Sequence, residues 1–175
     1  MGEAIEALIK RLIRDVPDFP KKGIIFKDVT PLLGDPEALG AVIAALAAPW
    51  KGKVDRVLGI ESRGFIFGTP VAQALGVGFA PVRKPGKLPW KTVTESYALE
   101  YGQDRLELHE DSVKPGERVL VVDDLLATGG TLSAACKLAE RVGGKVVGCA
   151  VVIELGFLDG RKRLGDRKLE ALVRF

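Results

Sequence analysis

Two adjacent carboxylates, Asp123 and Asp124, stand at the end of a short apolar run, Val119-Leu120-Val121-Val122, and ahead of Ala127-Thr128-Gly129-Gly130-Thr131. A β-branched run of this kind reads as a strand buried on both faces of a parallel sheet, with the acids where it would leave the sheet. Gly129 and Gly130 let the backbone aim several N–H groups at one point. Leu132, Ala135, Ala139 and Val142 fall at helical spacing, and the N-terminus of that helix adds partial positive charge. Thr128 and Thr131 add hydroxyl donors, so the loop chemistry points to a phosphate. No Lys sits in the loop and the Gly-x-Gly-x-x-Gly spacing is absent, which excludes the common nucleotide-binding loops. Two carboxylates beside a phosphate repel it unless they face donors. Vicinal sugar hydroxyls fit, with Mg²⁺ nearby, and the pattern suggests a sugar phosphate with a free diol.

Two further clusters carry charge at strand ends. Val54 to Ile60 reads as a parallel strand and Phe67, Val71 and Leu75 as the face of a helix; Glu61-Ser62-Arg63-Gly64 joins them. A strand, polar turn and helix in this order make a second place for a crevice at the carboxyl edge of an open α/β sheet. Arg63 is a surface charge or a two-pronged anion ligand. After the predicted strand Gly78–Val82, Arg83, Lys84 and Lys87 are interleaved with Pro85 and Gly86. They form either a solvated turn or a cationic loop able to neutralise a leaving anion. His109, in the alternating run Leu106-Glu107-Leu108-His109, has no partner that would make it a base and is assigned no role.

The run Val-Val-Asp-Asp-Leu-Leu-Ala-Thr-Gly-Gly-Thr resembles the phosphoribosyl-pyrophosphate (PRPP) loop of type I phosphoribosyltransferases. The resemblance implies that Asp123 and Asp124 hold the ribose hydroxyls, temper the charge growing on the ring, and that Ala127, Thr128, Gly129, Gly130 and Thr131 cradle the 5-phosphate. It makes the turn at Ser62 and Arg63 the pyrophosphate loop, with Glu61 where the family usually has Asp, and often with a cis peptide before the Ser. Arg83, Lys84 and Lys87 match the family's Arg-Lys-x-Gly-Lys-Leu-Pro, which also meets pyrophosphate. The segment from Pro17 to Leu33 resembles the amino-terminal signature of the members acting on adenine. There Phe26 would stack on the base, the main chain at Ile25 would read its edge, and Leu158 would pack from the other side. Lys27 stands where an Arg is common, replacing a planar fork by a point charge. Glu100, in Tyr97-Ala98-Leu99-Glu100-Tyr101-Gly102, matches a Glu proposed to handle a purine proton. On side-chain chemistry alone, Phe26 is equally a core aromatic, Lys27 a solvated strand residue and Glu100 an exposed carboxylate.

Around these residues the remaining elements fall into place. A helical stripe runs from about Glu3 to Arg14, broken by Pro17 and Pro20, and Gly23 to Leu33 reads as an extended apolar run. Asp35-Pro36 starts a helix with Leu39, Val42, Ile43, Leu46 and Ala47 on its buried face, ended by Pro49. Gly143-Gly144 caps the helix after the glycine loop, Lys145 to Glu154 is a buried strand, and Leu169 to Val173 a last edge strand. Arg161-Lys162-Arg163 reads as a solvated basic face. The expected class is α/β: an open, mainly parallel twisted sheet flanked by helices, the type I phosphoribosyltransferase fold. One domain over 1–175 is expected, with a small N-terminal hood over about 1–33 and a mobile β arm over about 83–109.

A chain of 175 residues with 47% apolar content can build a full core. A net charge of +3 is too mild for a nucleic-acid surface but suits a phosphate site. The two cysteines, Cys136 and Cys149, lack metal-ligand spacing and read as small core residues in a reducing compartment. With no secretory signal and no membrane-length apolar run, the expectation is cytoplasmic, with no membrane partner.

The resemblance spans nearly the whole chain. It implies transfer of the phosphoribosyl group from PRPP to adenine, giving AMP and pyrophosphate, with Mg²⁺ carried on PRPP rather than held by protein ligands, in a homodimer. Two rivals share the fold: a 6-oxopurine phosphoribosyltransferase, and a PRPP-sensing regulator that binds nucleic acid. The second lacks a basic aromatic surface.

Overall fold

The computed structural model describes residues 2–98 and 103–175. The amphipathic helix α1 (Gly2–Leu12) leads into β1 (Arg14–Pro17), which pairs antiparallel with β2 (Ile25–Asp28). The Phe19–Pro20 peptide between them is cis. The extended run expected through Leu33 ends early, because Thr30–Leu33 forms a one-turn helix, α2. Asp28 causes the change: its carboxylate accepts from the Thr30 N–H at 2.9 Å and from the Thr30 hydroxyl at 2.8 Å, and Pro31 pre-sets the first helical turn.

Helix α3 (Pro36–Ala47) starts as its cap signal predicts, with Asp35 accepting from the N–H groups of Glu37 and Ala38 at 3.1 and 3.0 Å. A 3₁₀ turn at Ala48–Trp50 ends it, and β3 (Arg56–Ile60), α4 (Arg63–Leu75) and β4 (Gly78–Val82) follow. Next come the antiparallel pair β5 (Thr92–Ala98) and β6 (Gln103–His109), then β7 (Arg118–Leu126), α5 (Gly130–Arg141), β8 (Lys145–Glu154) and β9 (Leu169–Arg174).

Five strands form one parallel sheet in the order β4-β3-β7-β8-β9. Side-chain alternation along β7 splits the core in two. Val119 and Val121 face α5 and the inner residues Leu106 and Leu108 of β6. Leu120 and Val122 face Val42 and Leu46 of α3 and Phe67 and Val71 of α4. Each such side chain contributes roughly 1.5–3 kcal/mol by leaving water, so both faces of the sheet are covered by helices. Cys136 and Cys149 are fully buried in the first of these clusters.

The chain leaves β3 toward β4 on one side and leaves β7 toward β8 on the other. A crevice therefore opens at the carboxyl ends of β3 and β7, where the winding reverses. The expectation that Asp123 and Asp124 lie beyond the sheet is half corrected. Pairing with β3 stops at Gly59–Val122, but pairing with β8 continues through Asp123–Val151 to Leu126–Glu154. One edge of β7 is thus released to face the crevice while β8 holds the other, a difference that depends on neighbouring strand lengths.

Candidate active site

Helix α4 packs so closely on this sheet edge that Gly64 has no room for a side chain. A methyl group there would stand 2.9 Å from both the Val122 carbonyl and the Asp123 carboxylate. The Gly of Ser-Arg-Gly thus seats the helix that begins at Arg63 directly over Asp123. The Glu61–Ser62 peptide before it is cis.

A cleft of about 340 Å³ lies at this point. Ser62 and Arg63 line one wall, Asp123 and Asp124 the floor, Ala127, Thr128, Gly129 and Thr131 a second wall, and Lys84 and Tyr97 the side toward β5. Gly129 adopts φ +82° and Gly130 begins α5, so the first-turn amides, which have no acceptor inside the helix, border this wall. Arg63 donates through Nε to Asp124, and its guanidinium carbon lies 5.4 Å from the centre of the Phe26 ring. Lys84 donates to Asp104 and, at 3.3 Å, to the Tyr97 hydroxyl, which itself donates to Asp104 at 3.1 Å. Partial burial works to lower the Lys84 ammonium, but the bonds to Asp104 and Tyr97 prevail and hold it above its ordinary value.

The other expected cations sit outside the lining. Arg83 donates through Nε to Glu61 at 2.9 Å and through Nη1 to the Lys87 carbonyl at 3.2 Å. Glu100 lies outside the described residues.

Burial, and then the negative charge of Asp124, push the Asp123 carboxyl well above the usual range. Its Oδ1 accepts from the Asp124 N–H at 2.9 Å. The folded protein therefore holds this proton more tightly than the unfolded chain. Stability is undiminished below the ordinary value of 3.8 and falls as the pH rises through the window above it. Asp123→Asn keeps the acceptor oxygen and removes the charge. We expect it to raise Tm by about 3 °C or more at pH 7, with the gain vanishing below pH 3.8 in thermal melts across pH. A variant no more stable than wild type at neutral pH contradicts this.

A second cavity, of about 520 Å³, adjoins the first through Thr128. Ile25, Lys27 and Leu158 line it, as do Phe157 and Phe175, which sequence reasoning missed. Phe157 is 75% exposed, an aromatic whose position beside Leu158 was the available signal; Phe175 had none, being brought in by the end of β9. Phe26 does not line this cavity but sits edge-on to Phe19, 5.2 Å between centres, and under Arg63. Lys27 pairs with Asp15 at 2.7 Å and lies 4.1 Å from the Phe175 ring centre. The arrangement joins a polar cleft of about 340 Å³ to a mainly apolar slot of about 520 Å³.

Residues 37–171 match the model of the phosphoribosyl transferase domain. An adenine phosphoribosyltransferase of Anaeromyxobacter dehalogenans is 59% identical over 168 residues, covering 95% of this chain and 98% of the relative. The crystal structure of adenine phosphoribosyltransferase from Thermoanaerobacter pseudethanolicus superposes with a TM-score of 0.94 at 52% identity, covering all of both chains. The Saccharomyces cerevisiae adenine phosphoribosyltransferase, complexed with D-2,5-dideoxy-2,5-imino-altritol 1,6-bisphosphate and adenine, gives 0.93 at 37% identity over 97% of this chain and 99% of that one. The chain belongs to the phosphoribosyltransferase family and, within it, to the adenine phosphoribosyltransferases.

Proposed function

We propose that the protein transfers the 5-phosphoribosyl group of PRPP to adenine, releasing AMP and pyrophosphate. One juxtaposition carries this: paired acids and a glycine loop open on one side to Arg63 and on the other, through Thr128, to an apolar slot. The yeast relative is complexed with an imino-altritol bisphosphate and adenine together, which supports a site here for a phosphorylated ligand beside one for the base.

In this mechanism the amides and hydroxyls of Ala127 to Thr131 hold the 5-phosphate. Asp123 and Asp124 accept from the ribose hydroxyls and offset the positive charge that develops at the anomeric carbon. Asp124 gives up Arg63 as it takes the diol, and the freed guanidinium turns its fork to the pyrophosphate, joined by Ser62 and Lys84, with Arg83 and Lys87 behind. The Ile25 main chain, Lys27 and Leu158 orient adenine from within the slot and Phe26 from beside it, under Arg63, while Glu100 moves the purine proton. We assign the hood to residues 1–33 and a closing arm to 83–109 of a single domain, the arm excluding water that competes for the anomeric carbon.

Among the described residues no three His, Cys, Asp or Glu side chains cluster closely enough to cage a metal ion, and one of the two cleft acids already pairs with Arg63. This donor set fits Mg²⁺ carried on the oxygens of PRPP, with Asp123 and Asp124 beside it. When bound, Mg²⁺ neutralises charge on the departing pyrophosphate. Among the described residues no helix is long and apolar enough to cross a membrane. On the family resemblance we assign the enzyme to the cytoplasm, as a homodimer.

Purified protein with PRPP, Mg²⁺ and adenine should form AMP, and hypoxanthine or guanine should compete poorly. Absence of AMP ends this reading, and preference for the oxopurines transfers it to the rival branch. In the same assay Glu100→Gln should reduce kcat more than adenine affinity; an unchanged kcat removes the residue's proton role.

A further inference from the structure

Glu154 is a buried acid, 3% exposed, that lines neither cavity. It ends β8, and both of its oxygens accept from Arg161: Nε to Oε1 at 2.8 Å and Nη2 to Oε2 at 2.7 Å. The third nitrogen, Nη1, donates to the Leu169 carbonyl at 3.3 Å, and Arg174 places its Nε 4.0 Å from Glu154 Oε1. The basic triplet Arg161-Lys162-Arg163 is exposed, as expected of a solvated face, but Arg161 also holds a buried partner seven residues back, at the end of β8.

The segment that Arg161 anchors has no ladder of its own. It runs through a 3₁₀ turn at Gly156–Leu158, a left-handed residue, Asp159, at φ +54°, and a second 3₁₀ turn at Gly160–Leu164. Leu158 on it lines the apolar slot. Gly160 is in close backbone contact with the phosphate-cleft loop. A methyl group on Gly160 would fall 2.2 Å from the Ala127 carbonyl, and one on Gly129 would fall 2.3 Å from the Gly160 carbonyl. Any shift of this turn must move both walls.

We propose that Glu154 and Arg161 form a positioning pair that sets the phosphate loop and the base-side Leu158 in register with one another. This rests on the function proposed above and extends it to residues that touch neither substrate. Stability alone does not account for the pair, since burying a carboxylate carries a desolvation penalty that an apolar side chain of similar size would avoid. What a two-pronged guanidinium–carboxylate contact adds is a fixed angle.

The test is steady-state kinetics in both substrates, with thermal melts, for wild type, Arg161→Met, Arg161→Lys and Arg167→Met. Arg167 makes the matched control: it forks onto Glu140, Nε to Oε1 at 3.1 Å and Nη2 to Oε2 at 2.9 Å, and holds the far end of the same turn through the Leu164 carbonyl, away from both cavities. Arg161→Met should raise KM for PRPP and adenine together, on the order of tenfold. Arg161→Lys should do the same, because an ammonium cannot reproduce the fork. Arg167→Met should lower Tm with both KM values unchanged. An active wild type alongside an Arg161→Met variant that keeps either KM within about twofold overturns the proposal. So does an Arg167→Met variant that raises both KM values as much. If Arg161→Met fails to fold, Arg161→Lys is held to the same criterion. A wild type that forms no AMP removes the functional reading instead.

Discussion

Asp124→Ala is expected to lower kcat/KM for PRPP by about a thousandfold while leaving Tm within about 2 °C of wild type. Under the proposed mechanism the carboxylate accepts two hydroxyl donors, and charge-assisted hydrogen bonds contribute about 1.5–3 kcal/mol each, which together spans that loss. Little stability goes with it, because the partner Asp124 has in the protein, Arg63, is 44% exposed and can be solvated when released. Parallel kinetics and melts decide the matter. A Tm that drops in step with activity makes the residue structural, and PRPP kinetics within tenfold of wild type remove it from the donor site.

Gly129→Ala should be nearly as severe, and for a different reason. Its φ of +82° costs an L residue about 1–2 kcal/mol, and the added methyl group would stand 2.3 Å from the Gly160 carbonyl, so backbone must move. Gly76 separates the two effects: it is left-handed too, at φ +69°, but nothing lies within 4 Å of where its side chain would be. Gly76→Ala should lose only the conformational part, a Tm decrease of about 3 °C, with PRPP use intact. Gly129→Ala should lose about 8 °C and at least a hundredfold in kcat/KM for PRPP. Equal losses in the two variants would mean that close contact with Gly160 does not shape the loop.

What could be read from the letters was what is decided locally. Asp35-Pro36 is a strong local helix-start signal, and Gly78–Val82 and Lys145–Glu154 are mainly apolar runs with a glycine at or just before their start, so their strands fall where expected. Asp123, Asp124 and the loop to Thr131 form a contiguous strand-to-helix passage, so their convergence on one cleft is also local. Features set by a single bond that overrides the local pattern, or by partners far along the chain, were not legible. Asp28 bends Thr30–Leu33 into a helix by a bond across two residues, against an apolar pattern that favoured an extended chain. β7 continues through the acids only because β8 is long enough to pair with them. Phe175 joins the apolar slot because β9 delivers it there, and Arg161, though half exposed, finds a buried partner because Glu154 ends β8 beneath it.

Three of the cations around the cleft are already matched within the chain: Arg63 with Asp124, Lys84 with Asp104, Arg83 with Glu61. Such a surface projects little field past one Debye length, about 8 Å at physiological ionic strength. PRPP is then not drawn in from a distance but trades places with carboxylates at contact. Its association rate should change less than about twofold between low and physiological salt, where an electrostatically steered encounter would slow steeply.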